Sequence, residues 1–231
     1  MLSTKIGKFL FATIAAALIL AMPVSAGTVA YTTSTPISST LTDWTGSLAF
    51  QQFNPASFGG DILLSVQLVL TSDLSTVLTV TNNEDPITGH ASNGSADTQL
   101  AVTVQDAGVD LTAPFDVYSD SYNYSLAAGG TTTSGTITDT NGSTHSYTSP
   151  AVLAEFTGTG NYDLSAGTLT HTQLSNTGGN TSATQVTDAD LTGTITYTYG
   201  APPVPEPASM GLIGLGLAGL ALLRRRRTRS V

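Results

Sequence analysis

Apolar residues along this chain recur at every second position rather than at helical spacing. From Leu191 to Tyr199, the residues Leu191, Gly193, Ile195, Tyr197 and Tyr199 fall on one side, and Thr192, Thr194, Thr196 and Thr198 on the other. Leu64, Val66, Leu68 and Leu70 alternate with Ser65, Gln67, Val69 and Thr71, and Leu100, Val102 and Val104 with Ala101, Thr103 and Gln105. The same spacing places Tyr118, Tyr122, Tyr124 and Leu126 on one face opposite Ser119, Ser121, Asn123 and Ser125. Phe156, Tyr162 and Leu164 share another face with Gly158 and Gly160. A period of two gives a pleated strand one dry face and one wet face. Turn-forming pairs separate the runs: Asn54-Pro55, Gly59-Gly60, Asn93-Gly94, Gly129-Gly130, Asn141-Gly142 and Gly178-Gly179. The pattern predicts an all-β fold. Its expected form is an antiparallel β-sandwich of jelly-roll or Greek-key type, with about eight to ten strands in two sheets. No repeat is evident that would indicate a solenoid.

Both ends break this alternation. Phe9 to Met22 is almost unbroken apolar sequence behind Lys5 and Lys8, and Pro23-Val24-Ser25-Ala26 follows with small residues at its second and fourth positions. That is the layout of a secretory signal peptide, a helix over 1–26 removed by signal peptidase between Ala26 and Gly27. An uncleaved anchor fits less well, because the apolar run is short and the exit is of the A-x-A kind. At the other end, 201–207 is a Pro-rich linker that neither helix nor central strand accepts. Residues 208–223 carry no charge and predict a transmembrane helix of roughly 24 Å, a little under the ~30 Å hydrocarbon core. The tail 224–231 comes next, with Arg224, Arg225, Arg226 and Arg227 as a cytoplasmic stop-transfer cluster. The body between is one domain, 27–200.

Val204-Pro205-Glu206-Pro207, the short Gly- and Leu-rich run and the Arg cluster together resemble the PEP-CTERM protein-sorting signal. That resemblance implies a Gram-negative bacterial protein recognised by an exosortase, a membrane-embedded, Cys-dependent processing enzyme. It implies cutting near the Pro-Glu-Pro motif, a transient stay in the inner membrane, and delivery to the cell surface or an exopolysaccharide matrix. Prolines suit such a motif because they hold it extended and accessible. A GPI signal lacks a strong Arg stop, and the LPxTG pattern of sortase substrates is absent.

A second resemblance covers the body. Thr42-Asp43-Trp44-Thr45-Gly46-Ser47-Leu48 leads to Phe53-Asn54-Pro55 and Leu63-Leu64-Ser65-Val66-Gln67-Leu68. Phe156-Thr157-Gly158-Thr159-Gly160 and Gly193-Thr194-Ile195-Thr196-Tyr197-Thr198-Tyr199 come near its end. The order is similar to the choice-of-anchor E domain, a bacterial surface module found with alternative C-terminal anchors. This resemblance implies architecture and location, and no catalytic residue.

Composition sharpens the picture. Only 10% of the residues are charged, against about 25% in an average domain, and the net charge is −9. All seven basic residues lie at the two ends; between Gly27 and Gly200 there are fifteen acids and no Lys or Arg. Nucleic acid as a partner is excluded, since it needs a basic footprint. So are Schiff-base chemistry and phosphate clamping, which need a cationic donor. With no cysteine there is no disulfide, thiolate metal site or thiol nucleophile. Within 27–200, 36 threonines and 20 serines supply nearly a third of the side chains, so O-glycosylation is a further expectation.

Candidate chemistry is sparse. His90 and His145 fall in predicted loops and His171 in a Thr-rich strand, without the spacing of a metal site. No G-x-S-x-G, P-loop or dinucleotide fingerprint occurs. The acidic pairs Glu84-Asp85, Asp106 with Asp110, and Asp188 with Asp190 sit in predicted loops where Ca²⁺ can gather oxygen ligands; Asp139 opens a calcium-like loop but Pro150 takes its twelfth position. Trp44, read inside a strand beside Leu41 and Leu48, and the Tyr118/Tyr122/Tyr124 face suit either core packing or stacking on sugars. The sequence thus predicts no enzyme, no cofactor and no resident metal. It predicts an exported structural or adhesive protein, with a carbohydrate-binding module for exopolysaccharide as the alternative.

Overall fold

Threonine and the aliphatic β-branched residues favour a pleated, half-buried surface, and here they build very long strands. The computed structural model describes residues 26–33, 35–106, 111–202 and 216–217. Strands β1 (Gly27–Thr32), β2 (Ile37–Leu41) and β3 (Thr45–Gln51) precede a short 3-10 turn over Pro55–Phe58. The long strands β4 (Ile62–Asn82) and β5 (Ser92–Asp106) come next, then the short β6 (Leu111–Thr112), β7 (Phe115–Tyr118), β8 (Tyr122–Leu126) and β9 (Thr131–Thr133). Strand β10 (Ile137–Tyr147), helix α1 (Pro150–Glu155), and the long β11 (Asn161–Thr177) and β12 (Thr181–Gly200) complete the described body.

Two antiparallel six-stranded sheets result. The first runs β1-β12-β4-β10, with β2 also on β12 and β9 on β4; the second runs β3-β11-β5-β6, with β7 and β8 also on β5. Three chain segments cross between sheets at one tip; two of them are β4 to β5 and β11 to β12, and the third is β8 to β9. The second crossing turns on Gly178 (φ 74) and Gly179 (φ 66), a left-handed pair that glycine adopts without strain. Asn83 N–H donates to the Asn180 carbonyl at 2.7 Å and holds the first two crossings together.

The inner faces share a main core in which Leu68, Leu70, Ile195 and Tyr197 of the first sheet meet Leu48, Phe50, Leu100 and Leu164 of the second. A smaller cluster near the tip holds Leu78, Val80, Ala96, Tyr124 and Leu126. Between the two lies a belt of buried hydroxyls. Thr76 Oγ1 shares hydrogen bonds with Thr187 Oγ1 (2.7 Å) and Thr98 Oγ1 (3.3 Å), and Thr98 and Thr172 both donate to Gln185 Oε1.

Several readings of the alternation need correction. The described residues hold twelve strands rather than eight to ten, because β6, β7 and β9 are too short to show a period. Leu64 is exposed, since the register of β4 against β12 shifts beside it and places Leu63 and Val66 inward. Tyr118 does not share a face with Tyr124: the chain turns between β7 and β8, leaving Val117 and Ser119 buried and Tyr118 outside. Phe156 caps α1 instead of lying in strand with Gly158 and Gly160, although its ring meets Tyr162 at 4.2 Å. Asn93-Gly94 and Asn141-Gly142 lie inside β5 and β10, not in turns. Side chains at Gly94 and Gly142 would collide with the carbonyls of Ser175 and Leu70, so here glycine marks close backbone approach. His145 is in β10, and Asp188 and Asp190 are in β12, none in a loop. Trp44 sits in the bend between β2 and β3, packed against the main core, while Leu41 is exposed.

Residues 1–25, residue 203 with the motif 204–207, the tail 224–231 and all of the predicted membrane helix 208–223 except Gly216 and Leu217 lie outside the described residues. Among the described residues no helix is long and apolar enough to cross a membrane.

Candidate functional site

Gly27, the first residue after the predicted signal cut, and Gly200, the last before the Pro-rich linker, come together at one end of the first sheet. Strand β1 pairs antiparallel with β12, so Gly27 faces Tyr199 directly. A Cβ on Gly27 would lie 2.6 Å from the Tyr199 ring, so glycine lets the first residue after the predicted cut dock on that ring. Ala26, just outside, is exposed. Gly200 pairs with Ile62, and exposed Ala201 and Pro202 lead out of the same end toward the Pro-rich segment. From Pro202 to Ala208 the backbone spans at most roughly 20 Å, so this pole stays close to whatever holds the downstream apolar run. An aromatic cluster stiffens it: Phe58 lies 4.5 Å from Tyr199, and Phe53 lies 5.0 Å from Phe58. Beside these rings Pro55, Ile62, Leu63, Pro150 and Leu153 line a shallow apolar hollow.

What leaves this pole is decisive. Residues 203–227 match the PEP-CTERM protein-sorting motif. The matched span contains Val204, Pro205, Glu206, Pro207, Arg224, Arg225, Arg226 and Arg227, all outside the described residues. A PEP-CTERM motif implies an exported, membrane-transiting protein processed by exosortase. No curated protein matches the chain.

On β10, Ser143, His145 and Tyr147 occupy alternate positions opposite the buried Leu70, Leu68 and Val66. Ser143 Oγ, His145 Nε2 and Tyr147 Oη are buried without a hydrogen-bond partner among the described residues, so no nucleophile is joined to a base there. Nearby, the Tyr162 hydroxyl donates to Asp106 Oδ2 at 2.6 Å. Burial above all, then this bond and the charge of Asp106, hold the Tyr162 phenol far above its ordinary value. Tyr197 is pushed the same way, chiefly by burial, and its hydroxyl donates to the Gln51 carbonyl at 2.8 Å.

One acid of each predicted pair, Asp85, Asp106 and Asp190, has a structural partner. Asp85 Oδ1 accepts from the N–H groups of Ile87 (2.8 Å) and Thr88 (3.0 Å), which lower its carboxyl below the usual range. Asp190 Oδ1 accepts from Asp73 N–H at 2.9 Å. Asp110 lies outside the described residues. Among the described residues no three His, Asp or Glu side chains converge on a common point. His90 is in the loop after β4, and His171 is exposed on β11.

Sequence reasoning missed one feature of the outer surface. Tyr118, expected inward, is 51% exposed on the outer face of the second sheet. Gln99 Nε2 donates to its hydroxyl at 2.9 Å, and that hydroxyl donates to Asp116 Oδ2 at 3.3 Å. The turn signal in Ser119-Asp120-Ser121, which separates Tyr118 from Tyr122, is the clue that could have revealed it.

Proposed function

We propose that this protein is an exported, non-catalytic component of the cell surface or extracellular matrix of a Gram-negative bacterium, with a structural or adhesive role in exopolysaccharide or biofilm. Its precursor is held in the inner membrane by residues 208–223, with Arg224 to Arg227 in the cytoplasm. Signal peptidase cuts between Ala26 and Gly27, and exosortase acts near Val204 to Pro207 and releases or re-anchors the body. We read that body as a choice-of-anchor E-like β-sandwich of jelly-roll or Greek-key type. The carrying observation is the PEP-CTERM match over 203–227, and the closeness of Gly27 to Gly200 supports it. Both membrane-directed segments leave one pole, so a folded body can hang from one bilayer by either end or both.

Intact-mass analysis of protein from producing cells tests the processing. The expected product begins at Gly27 and lacks the Arg tail, and deletion of the exosortase leaves the tail in place. Mature protein that keeps Arg224 to Arg227 in wild-type cells overturns the proposal.

A further inference from the structure

The outer face of the second sheet combines a trough with a held aromatic ring. Glycine at 167 removes one side chain from β11 and leaves a depression of about 420 Å³ bounded by Thr45, Gly46, Thr103, Gln105 and Ser165. Ladder register fixes the succeeding positions along the strand. Gly167 lies opposite Thr103, Leu169 opposite Ala101, and His171 opposite Gln99, which in turn faces Tyr118. Four residues further along β11, about 13 Å of strand from the trough, lies a row of exposed His171, half-buried Gln99 and exposed Tyr118. Leu169, 63% exposed, lies between. Tyr118 does not swing freely: Gln99 and Asp116 hold its hydroxyl, and Gln173 Nε2 contacts Gln99 Oε1 at 3.5 Å.

We propose that this face binds a polysaccharide chain of uncharged hexopyranose units, laid along β11 from the trough over Gly167 to the ring of Tyr118. An aromatic face fixed in advance gives the C–H side of a pyranose a stacking surface at little entropic cost. Threonine and serine hydroxyls and the Gln105 amide both donate and accept, which suits ring hydroxyls that do the same. Charge selects among glycans. From Gly27 to Gly200 there is no Lys or Arg, and Asp116 flanks the ring, so a uronate or sulfated chain meets a carboxylate there and no Lys or Arg. This inference deepens the carbohydrate-binding alternative and rests on the matrix location proposed above.

Two positions allow a test that leaves the fold standing. Tyr118 is outside the core, and a Cβ at Gly167 would meet only ordinary contacts, with Trp44 O at 3.4 Å and Thr45 Cγ2 at 3.7 Å. The full chain in non-ionic detergent is run by native affinity electrophoresis through gels containing dextran, galactomannan, a soluble β-glucan, alginate or partly deacetylated chitosan. At least one neutral polymer is expected to retard it. Tyr118→Ala and Gly167→Val are each expected to weaken that retardation about tenfold, with unchanged melting curves, while Tyr118→Phe keeps most of it. No retardation in any neutral gel overturns the proposal, as does retardation that neither Tyr118→Ala nor Gly167→Val changes. Retardation by chitosan alone marks simple charge pairing and also overturns it. The mature mass reports on processing separately, so this inference can fail while the sorting stands.

Discussion

Asn82 shows how one side chain closes the tip of the molecule. It is fully buried at the end of β4, where Nδ2 donates to the carbonyls of His90 (2.8 Å) and Ala127 (3.2 Å) and Oδ1 accepts from Glu84 N–H at 3.3 Å. Removing the amide leaves these loop groups without a partner in a place that excludes water. Asn82→Ala is therefore expected to lower stability by about 2–3 kcal/mol, measured by urea unfolding. A loss below about 0.5 kcal/mol, typical of a surface substitution, would show that the loop holds itself. Asn82-Asn83 reads in sequence as ordinary loop polarity, because the carbonyl of Ala127 is supplied from 45 residues away. The pairs Asn93-Gly94 and Asn141-Gly142 mislead for a similar reason. Their composition is that of a hairpin turn, but the neighbouring backbone is what requires the glycine.

At the scale of elements, the hydroxyl belt divides one inter-sheet space into two apolar clusters. Thr76, Thr98 and Thr187 face inward at positions where the alternation predicts apolar side chains, and their oxygens are satisfied chiefly by one another and by Gln185. Changing Thr76 alone to Val is expected to cost about 1–2 kcal/mol, because Thr187 and Thr98 each lose a partner. Changing Thr76, Thr98 and Thr187 together to Val is expected to recover most of that loss, since matched apolar groups need no partner and join the two clusters. Additive losses in the triple variant, measured by chemical denaturation, would refute the belt as a unit. The strands that carry these residues are legible from their period. Their length is not: β4, with 21 residues, reads as a shorter strand until β12 is seen running beside it.

The whole molecule has a one-sided charge. The basic residues lie in the end segments, and the described body carries its acids with no Lys or Arg to pair them. An excess of like charge weakens a compact state, and salt screens it over a length that falls from about 30 Å at 0.01 M to about 3 Å at 1 M. The melting temperature of the processed protein is expected to rise when NaCl is raised from about 10 mM to about 1 M. An unchanged or lower value would mean that the carboxylates are too far apart to repel. The same scale holds the link between fold and export. β1 is the first strand after the predicted signal cut and β12 the last before the sorting motif, yet they are neighbours in one sheet. β1 pairs only with β12 among the described strands, so its place in the sheet exists only once the last strand of the body is present.

The order of residues is enough to set the β class, through a side-chain period of two, and the sorting route, through a motif whose linear order is the signal. Both are local, and a local pattern survives being read in one dimension. Which alternating face is buried depends instead on the packed fold, because a single shift beside Leu64 or a turn after Tyr118 reverses it. Packing also brought Gly27 to Gly200, set the hydroxyl belt between two cores, and turned the Tyr118 ring outward beside the trough over Gly167. Those arrangements depend on partners distant in sequence, whose register no single strand carries within itself.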